Sequence, residues 1–154
     1  MTGPLEALRA TLRTEMPVTQ HLGIEAAGYH HGVLTLRAPL AANVNHKGTA
    51  FGGSLNAIAT LAGWGVLWLA LREHDLPGEV VIQDSSVQYL RPVAGDFLAR
   101  SGPPEPEALA RLLNAVRRRG RGRIGLAAEV ADAAGVAVTF AGRYVVHAPA
   151  PLAR

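Results

Sequence analysis

The sequence contains no cysteine, a single lysine and few aromatic residues. Without cysteine, the chain cannot form a disulfide bond, a zinc–thiolate site or a cysteine nucleophile. Aromatic residues make up only 5% of the chain, which leaves few rings for base stacking, so we expect no nucleic-acid binding. The 154 residues are 49% hydrophobic and 18% charged, which predicts one globular domain over residues 1–154.

The first residues lack the basic start and the apolar run of a signal peptide. We therefore expect a cytoplasmic protein. The net charge is +3, but five of the 14 arginines lie between Arg117 and Arg123. The basic character is thus concentrated in one short segment.

A long run without charge or proline covers residues 54–71. Its apolar side chains leave no polar face, which predicts a helix that is buried on all sides. Gly52 and Gly53 stand at its start, with Thr49 or Ser54 as possible caps. The start of a helix presents free N–H groups and a partial positive charge, so this end is suited to bind a developing negative oxygen.

The sequence allows two other interpretations of this helix. The 22 uncharged residues 50–71 are long enough to span a bilayer. However, small and polar residues dilute the first half, and no aromatic belt or basic loop flanks both ends, so we expect no membrane span. A buried helix with no site attached is the more serious alternative.

The rest of the chain reads as short helices and antiparallel strands. Asp84 interrupts the clearest strand, in which Val80, Ile82, Asp84 and Ser86 alternate onto one side. We predict helices at 4–15 and 105–118, a hairpin of strands at 23–29 and 33–38, strands at 80–91 and 97–101, and a long antiparallel pair at 122–131 and 136–147. This order predicts an α+β fold in which an antiparallel sheet wraps around one helix.

Particular segments resemble a known family. Asn45 precedes residues 48–53, Gly-Thr-Ala-Phe-Gly-Gly, and residues 89–93, Tyr-Leu-Arg-Pro-Val, close the strand after the helix. These segments resemble the hot-dog fold thioesterases. Residues 51–55, Phe-Gly-Gly-Ser-Leu, and 140–144, Phe-Ala-Gly-Arg-Tyr, are most similar to a small bacterial branch that is sometimes fused behind an acetyltransferase domain. The resemblance covers residues 17–146, with the helix at 105–118 as an insertion.

The resemblance implies hydrolysis of an acyl thioester, carried on coenzyme A or on acyl carrier protein, at the interface of a homodimer or tetramer. The backbone amides of Gly52 and Gly53 would bind the oxyanion. Better-known branches have a histidine where this chain has Phe51, and a carboxylate where it has Thr60. This departure keeps a second hypothesis open, a non-catalytic module that binds or senses acyl-coenzyme A.

Asp84 is the predicted general base because it is the one carboxylate within a strongly apolar strand. Ser86 on the same side and Asn45 would orient water or substrate. The alternative is that Asp84 is a structural hydrogen-bond acceptor, paired with Arg91, with loop amides or with a group across an interface.

The remaining predicted site residues are contacts to the substrate. They are His46, Thr49, Phe51, Ser54, Thr60, Arg121 and Arg123. The two arginines could hold coenzyme A phosphates or an acidic carrier protein, although a solvated helix end explains the arginine cluster equally well. We expect no metal, because His30 and His31 lack a third ligand nearby in sequence, and no cofactor, because the glycine-rich segment 120–125 follows a helix instead of a strand.

Overall fold

The computed structural model describes residues 2–149, so residue 1 and residues 150–154 of the predicted domain lie outside the described residues. Four helices and six strands follow one another along the chain. They are α1 Pro4–Glu15, α2 Pro17–His21, β1 Glu25–His30, β2 Val33–Ala38, α3 Gly52–Glu73, β3 Glu79–Tyr89, β4 Phe97–Ser101, α4 Pro106–Arg119, β5 Arg121–Asp132 and β6 Gly135–His147.

All strands belong to one antiparallel sheet with the order β1-β2-β4-β5-β6-β3. The long pair β5–β6 runs from Asp132 opposite Gly135 to Arg121 opposite His147. Helix α3 packs against five strands of this sheet. The predicted α+β architecture, an antiparallel sheet wrapped around one helix, is confirmed.

Helix α3 lies at the centre of the hydrophobic core. Glycines let the sheet approach it closely, because a Cβ at Gly63 would lie 2.3 Å from the Tyr144 hydroxyl and one at Gly65 would lie 2.4 Å from Leu34 Cδ2. The helix is long and apolar enough to cross a membrane, but 67% of its most apolar window is buried inside the protein. We therefore identify it as the core helix of the fold.

The burial of alternate residues along strand β5 defines the two faces of the sheet. Residues 124, 126, 128 and 130 are buried, while the alternate residues 121, 123, 125, 127 and 129 are exposed. The buried set faces α3, and the exposed set forms what we call the outer face of the sheet. This division decides which predicted site residues can meet.

The two edges of the sheet differ. Strand β1 has six residues and is covered by α1. Strand β3 has 11 residues, and nearly all of them are exposed. A long uncovered edge strand offers unpaired backbone groups to another chain.

Two local features refine the predicted helices. Pro17 ends α1 as expected but also begins α2, a helix of five residues that was not predicted. Helix α4 begins after Glu105, whose carboxylate accepts hydrogen bonds from the amides of Glu107 and Ala108, and it ends at Gly120 in the left-handed conformation. Its bounds differ by one residue from the prediction.

Candidate functional site

Helix α3 begins with two open amides. Phe51 is the N-cap residue, with φ −62° and ψ 130°, and its side chain makes no capping hydrogen bond. The prediction that Thr49 or Ser54 caps the helix is wrong, because the Ser54 amide donates to the Phe51 carbonyl and the Thr49 hydroxyl accepts from Asn45. Within residues 2–149, the amides of Gly52 and Gly53 donate to no protein acceptor. Both remain available to a ligand.

The two glycines differ in what surrounds them. A Cβ at Gly53 would lie 2.3 Å from Cε1 of Phe51. While the Phe51 ring occupies this position, residue 53 must therefore be glycine. A Cβ at Gly52 would have an ordinary 3.6 Å contact with Tyr89 Cε1. The Tyr89 hydroxyl donates to the Gly52 carbonyl at 3.3 Å. The edge strand β3 therefore ends directly beside the start of α3.

The loop before α3 is held by Asn45. Its Nδ2 donates to the Thr49 hydroxyl at 2.9 Å, and its Oδ1 accepts from the amides of Lys47 at 2.8 Å and Thr49 at 3.2 Å. Asn45 thus fixes the loop that leads to Phe51. Its predicted role in orienting water stays a prediction.

The structure brings several predicted residues together beside this loop. A hollow of about 390 Å³ is lined by Asn45, His46, Phe51 and Ser54, together with Leu22, Ala42, Asn43 and Val44. Phe51 and His46 are exposed there, whereas Ser54 is buried. The predicted substrate contacts His46, Phe51 and Ser54 therefore share one hollow at the helix start.

A larger, mainly apolar groove of about 600 Å³ runs along one side of α3. The helix contributes Gly53, Asn56, Ala57, Thr60, Leu61 and Trp64, and the walls come from α2 and its flanking residues, from Val80 to Ile82 of β3, and from Tyr144. The expected burial of α3 on all sides is wrong along this stripe, where the side chains are only partly buried.

Asn56 is a site residue that sequence reasoning missed. It lies one turn after Gly53, and its Oδ1 accepts a long hydrogen bond of 3.4 Å from the Thr60 hydroxyl. Helical spacing from Gly53 could have identified it, since residues three apart share a face. Thr60, a predicted contact, also lies in the groove.

Asp84 lies away from this groove. The β3–β6 register shifts between Ile82 and Asp84, and Asp84 pairs with Arg143, next to Tyr144. The Tyr144 hydroxyl donates to the Thr60 carbonyl at 2.7 Å, so Tyr144 faces α3 and its neighbour Arg143 faces outward. Asp84 and Ser86 are therefore on the outer face, and the predicted alternation that placed them with Val80 and Ile82 is wrong.

Arg143 holds Asp84 in a two-pronged ion pair. Its Nε donates to Oδ1 at 2.6 Å and its Nη2 donates to Oδ2. The hydrogen bond from Arg143 lowers the pKa of the Asp84 carboxyl, and the charge of Arg123 acts in the same direction. Asp84 is 48% exposed, not buried. Its predicted alternative partner, Arg91, pairs with Asp132 instead.

The fold of the chain therefore does not bring Asp84 or Ser86 to Gly52 and Gly53. The ion pair agrees with the alternative that Asp84 is a structural acceptor. Arg121 and Arg123 are also exposed on the outer face of β5, opposite the groove. The roles of Asp84 as base and of these arginines as carrier contacts stay predictions.

The antiparallel sheet around one helix, with open amides at the helix start, defines a protein of the hot-dog class. The family model described as "Putative thioesterase (yiiD_Cterm)" matches residues 5–148. The chain belongs to this family. The resemblance to hot-dog thioesterases is therefore confirmed.

Solved structures agree with this assignment. A protein of unknown function from Chlorobaculum tepidum is 32% identical, with 93% of each chain covered and a TM-score of 0.89. A "putative thioesterase" from Shewanella oneidensis is 29% identical over 95% of this chain and 98% of its own, with a TM-score of 0.81. A thioesterase from Haemophilus influenzae, 20% identical over 100% and 97% of the two chains with a TM-score of 0.78, shows the fold alone.

Proposed function

We propose that this protein hydrolyses acyl thioesters carried by coenzyme A or by acyl carrier protein. One observation carries the proposal: Gly53, whose amide is open, lines one end of an apolar groove along α3, and the open amide of Gly52 precedes it in the chain. Membership of a thioesterase family supports the reaction class. The amides supply donors for the reacting carbonyl, and the groove supplies space for an acyl chain.

The chemistry follows from this arrangement. Water adds to the thioester carbonyl, and the carbonyl oxygen becomes an oxyanion that accepts hydrogen bonds from the amides. The positive end of α3 stabilises the same charge. Collapse of the tetrahedral intermediate breaks the carbon–sulfur bond and releases a carboxylic acid and a thiol. The thiol carrier extends outward from the helix start in this arrangement.

A second copy of the chain completes the site in our proposal. Val81, Ile82, Tyr89 and Leu90 lie on or directly after β3, and among residues 2–149 they account for half of the eight large hydrophobic side chains found exposed. We infer that two copies pair along this edge, as a homodimer or as part of a tetramer. Tyr89 links the edge to Gly52, so the paired edges would lie beside the helix start.

A non-catalytic acyl-coenzyme A binding module is the second candidate. One observation favours it: among the described residues, no carboxylate or histidine lines the groove, whose polar side chains are Thr19, Asn56, Thr60 and the hydroxyl of Tyr144. None of these is a general base at neutral pH. Under the hydrolytic proposal, the base comes from outside this groove. Asp84 is the residue predicted for that role, and its ion pair with Arg143 argues against it. The predicted cytoplasmic location stays a prediction.

Paired substitutions at Gly52 test the hydrolytic proposal. Proline is tolerated in the first turn of a helix, and Phe51 already has the extended ψ of 130° that suits a residue before proline. Gly52→Pro removes the N–H, whereas Gly52→Ala keeps it. We expect the turnover number for thiol release from acyl-coenzyme A to be about 10²- to 10³-fold lower in the proline variant than in the alanine variant.

Circular dichroism and thermal melting establish that both variants fold. Equal turnover in the two folded variants would remove the Gly52 amide from the mechanism. Tight binding of acyl-coenzyme A without any thiol release by the native protein would favour the binding module.

A further inference from the structure

The groove along α3 ends at a tryptophan. Trp64 lines its far end, eleven positions after Gly53 in the helix. The next tryptophan, Trp68, lies one turn further and lines a different hollow of about 580 Å³, formed with Leu71, Arg72 and residues 75–79. Trp64 is therefore the last residue of α3 that lines the groove, and the next hollow along the helix begins at Trp68.

Several contacts fix the Trp64 ring in this position. Its indole N–H donates to the backbone carbonyl of Val80 at 3.0 Å, which bridges α3 to β3. The ring packs against Trp68 with centroids 6.1 Å apart and an interplanar angle of 31°. The guanidinium of Arg72 lies 3.9 Å above the Trp68 ring. A ring held from two sides is a rigid wall, not a flexible side chain that a ligand could push aside.

The length of the groove can be read from the helix. Eleven residues of α-helix span about 16 Å, at about 1.5 Å per residue. An extended hydrocarbon advances about 1.25 Å per carbon–carbon bond, as follows from a bond length of about 1.5 Å and tetrahedral angles. With the reacting carbonyl at the Gly53 end, the groove holds a chain of roughly 12 to 13 carbons before it meets the indole.

We propose that the occupant of this groove is a linear, medium-length acyl chain and that Trp64 determines its maximum length. The proposal rests on the proposed function, because it places the thioester carbonyl at the amides of Gly52 and Gly53. The lining favours a hydrocarbon over a polar acyl group, since the groove is mainly apolar. Longer chains would have to displace the indole and break its hydrogen bond to Val80.

The experiment compares straight-chain acyl-coenzyme A esters from four to sixteen carbons, each below its critical micelle concentration. For the native protein we expect kcat/KM to rise with length, up to about fourfold for each methylene buried. Beyond about twelve carbons we expect it to fall, because added methylenes no longer fit. In Trp64→Ala the space beyond the wall opens, and we expect the optimum to move to longer chains.

Two matched variants distinguish the loss of the aromatic wall at Trp64 from a general loss of folding or activity. Trp64→Phe keeps an aromatic wall without the indole N–H and should retain a limit close to the native one. Trp68→Ala makes the same truncation one turn away, outside the groove. It removes a packing partner of Trp64 but keeps Trp64 and its hydrogen bond to Val80, so it should shift the length limit less than Trp64→Ala does. A folded Trp64→Ala protein with the native length profile would overturn the proposal, as would an equal shift in Trp68→Ala.

Binding of free straight-chain carboxylates, measured by calorimetry, distinguishes failure of this inference from failure of the proposed function. If no thioester is hydrolysed but carboxylate affinity shows the same limit and the same shift in Trp64→Ala, the groove assignment stands and the hydrolytic function fails. If thioesters are hydrolysed with no dependence on Trp64 in either measurement, the length proposal fails and the hydrolytic function stands.

Discussion

At the scale of single residues, Asp84 separates two hypotheses. Asp84 as general base predicts that Asp84→Asn abolishes turnover, whereas the ion pair with Arg143 on the outer face predicts that turnover survives. The geometry supports the second outcome, so we expect Asp84→Asn to fold and to release thiol at a rate comparable to the native protein. Stability should change little, because the pair is half exposed. Thiol-release kinetics and thermal melting measure both quantities.

Arg143→Gln is the matched control, because it breaks the same ion pair and leaves the Asp84 carboxylate in place. Similar small effects in the two variants would identify a purely structural pair. A fall in turnover of about 10²-fold or more in Asp84→Asn alone would establish Asp84 as the base that its sequence context predicts.

Sequence reasoning located the open glycines but could not assign the face of Asp84. Alternation with period two places Val80, Ile82, Asp84 and Ser86 on one side of an unbroken strand. The irregularity between Ile82 and Asp84 adds one residue and moves Asp84 and Ser86 to the other side. A bulge of this kind depends on the pairing with β6, and residues 80–86 alone carry no signal for it.

At the scale of secondary-structure elements, an ion pair between Asp132 and Arg91 links the segment after β3 to the β5–β6 hairpin. Its carboxylate accepts two hydrogen bonds from Arg91, at 3.0 and 2.6 Å, and one from the Ala134 amide at 2.9 Å. Arg91 also donates to the Gly135 carbonyl. The Asp132 side chain is only 8% exposed. These hydrogen bonds, chiefly those from Arg91, lower the pKa of Asp132 to about 2.

The direction of the resulting pH dependence follows from linkage. A carboxyl with a depressed pKa in the folded state contributes stability above its unfolded pKa of about 3.9. That contribution is lost as the pH falls toward the folded value of about 2. We expect the free energy of unfolding of the native protein to decrease over this range, and we expect a shallower decrease in Asp132→Asn. Urea denaturation at a series of pH values measures both slopes.

Glu129→Gln is the control for this experiment, because Glu129 is exposed on β5 and forms no ion pair within residues 2–149. Its slope should match that of the native protein. Identical slopes in the native protein and Asp132→Asn would show that Asp132 does not contribute to acid sensitivity.

The order of the elements was predictable because each carries a local signal, such as Pro4 at the start of α1 and Gly120 at the end of α4. The partly buried face of α3 along the groove was not predictable in this way. Leu61 and Trp64 are apolar, and apolar periodicity does not distinguish a face packed inside the chain from one left for a ligand or a second subunit. The groove exists because the fold places α2 and β3 on either side of this face of α3 without closing over it.

At the scale of the whole molecule, strand β3 is a long sheet edge that residues 2–149 leave uncovered. If two copies pair there through a two-fold axis, a lysine placed on this edge occurs on both of the paired strands. Val81 is 49% exposed, so Val81→Lys costs little packing within one protomer. We expect self-association to weaken by about tenfold or more, because charged side chains on an edge oppose strand pairing and lose their hydration when an interface covers them. Sedimentation velocity over a concentration series measures the change.

Activity provides the second readout of this prediction. If a second copy completes the site, thiol release by Val81→Lys should fall with the fraction of dimer and recover as the protein concentration rises. A loss that no concentration restores would instead reflect the place of Val81 in the wall of the groove. Val136→Lys is the matched control, because Val136 is 40% exposed but lies beside the β5–β6 turn and not on β3. Full activity of a monomeric Val81→Lys protein would show that one protomer suffices for hydrolysis. An unchanged dimer would place the interface elsewhere on the molecule.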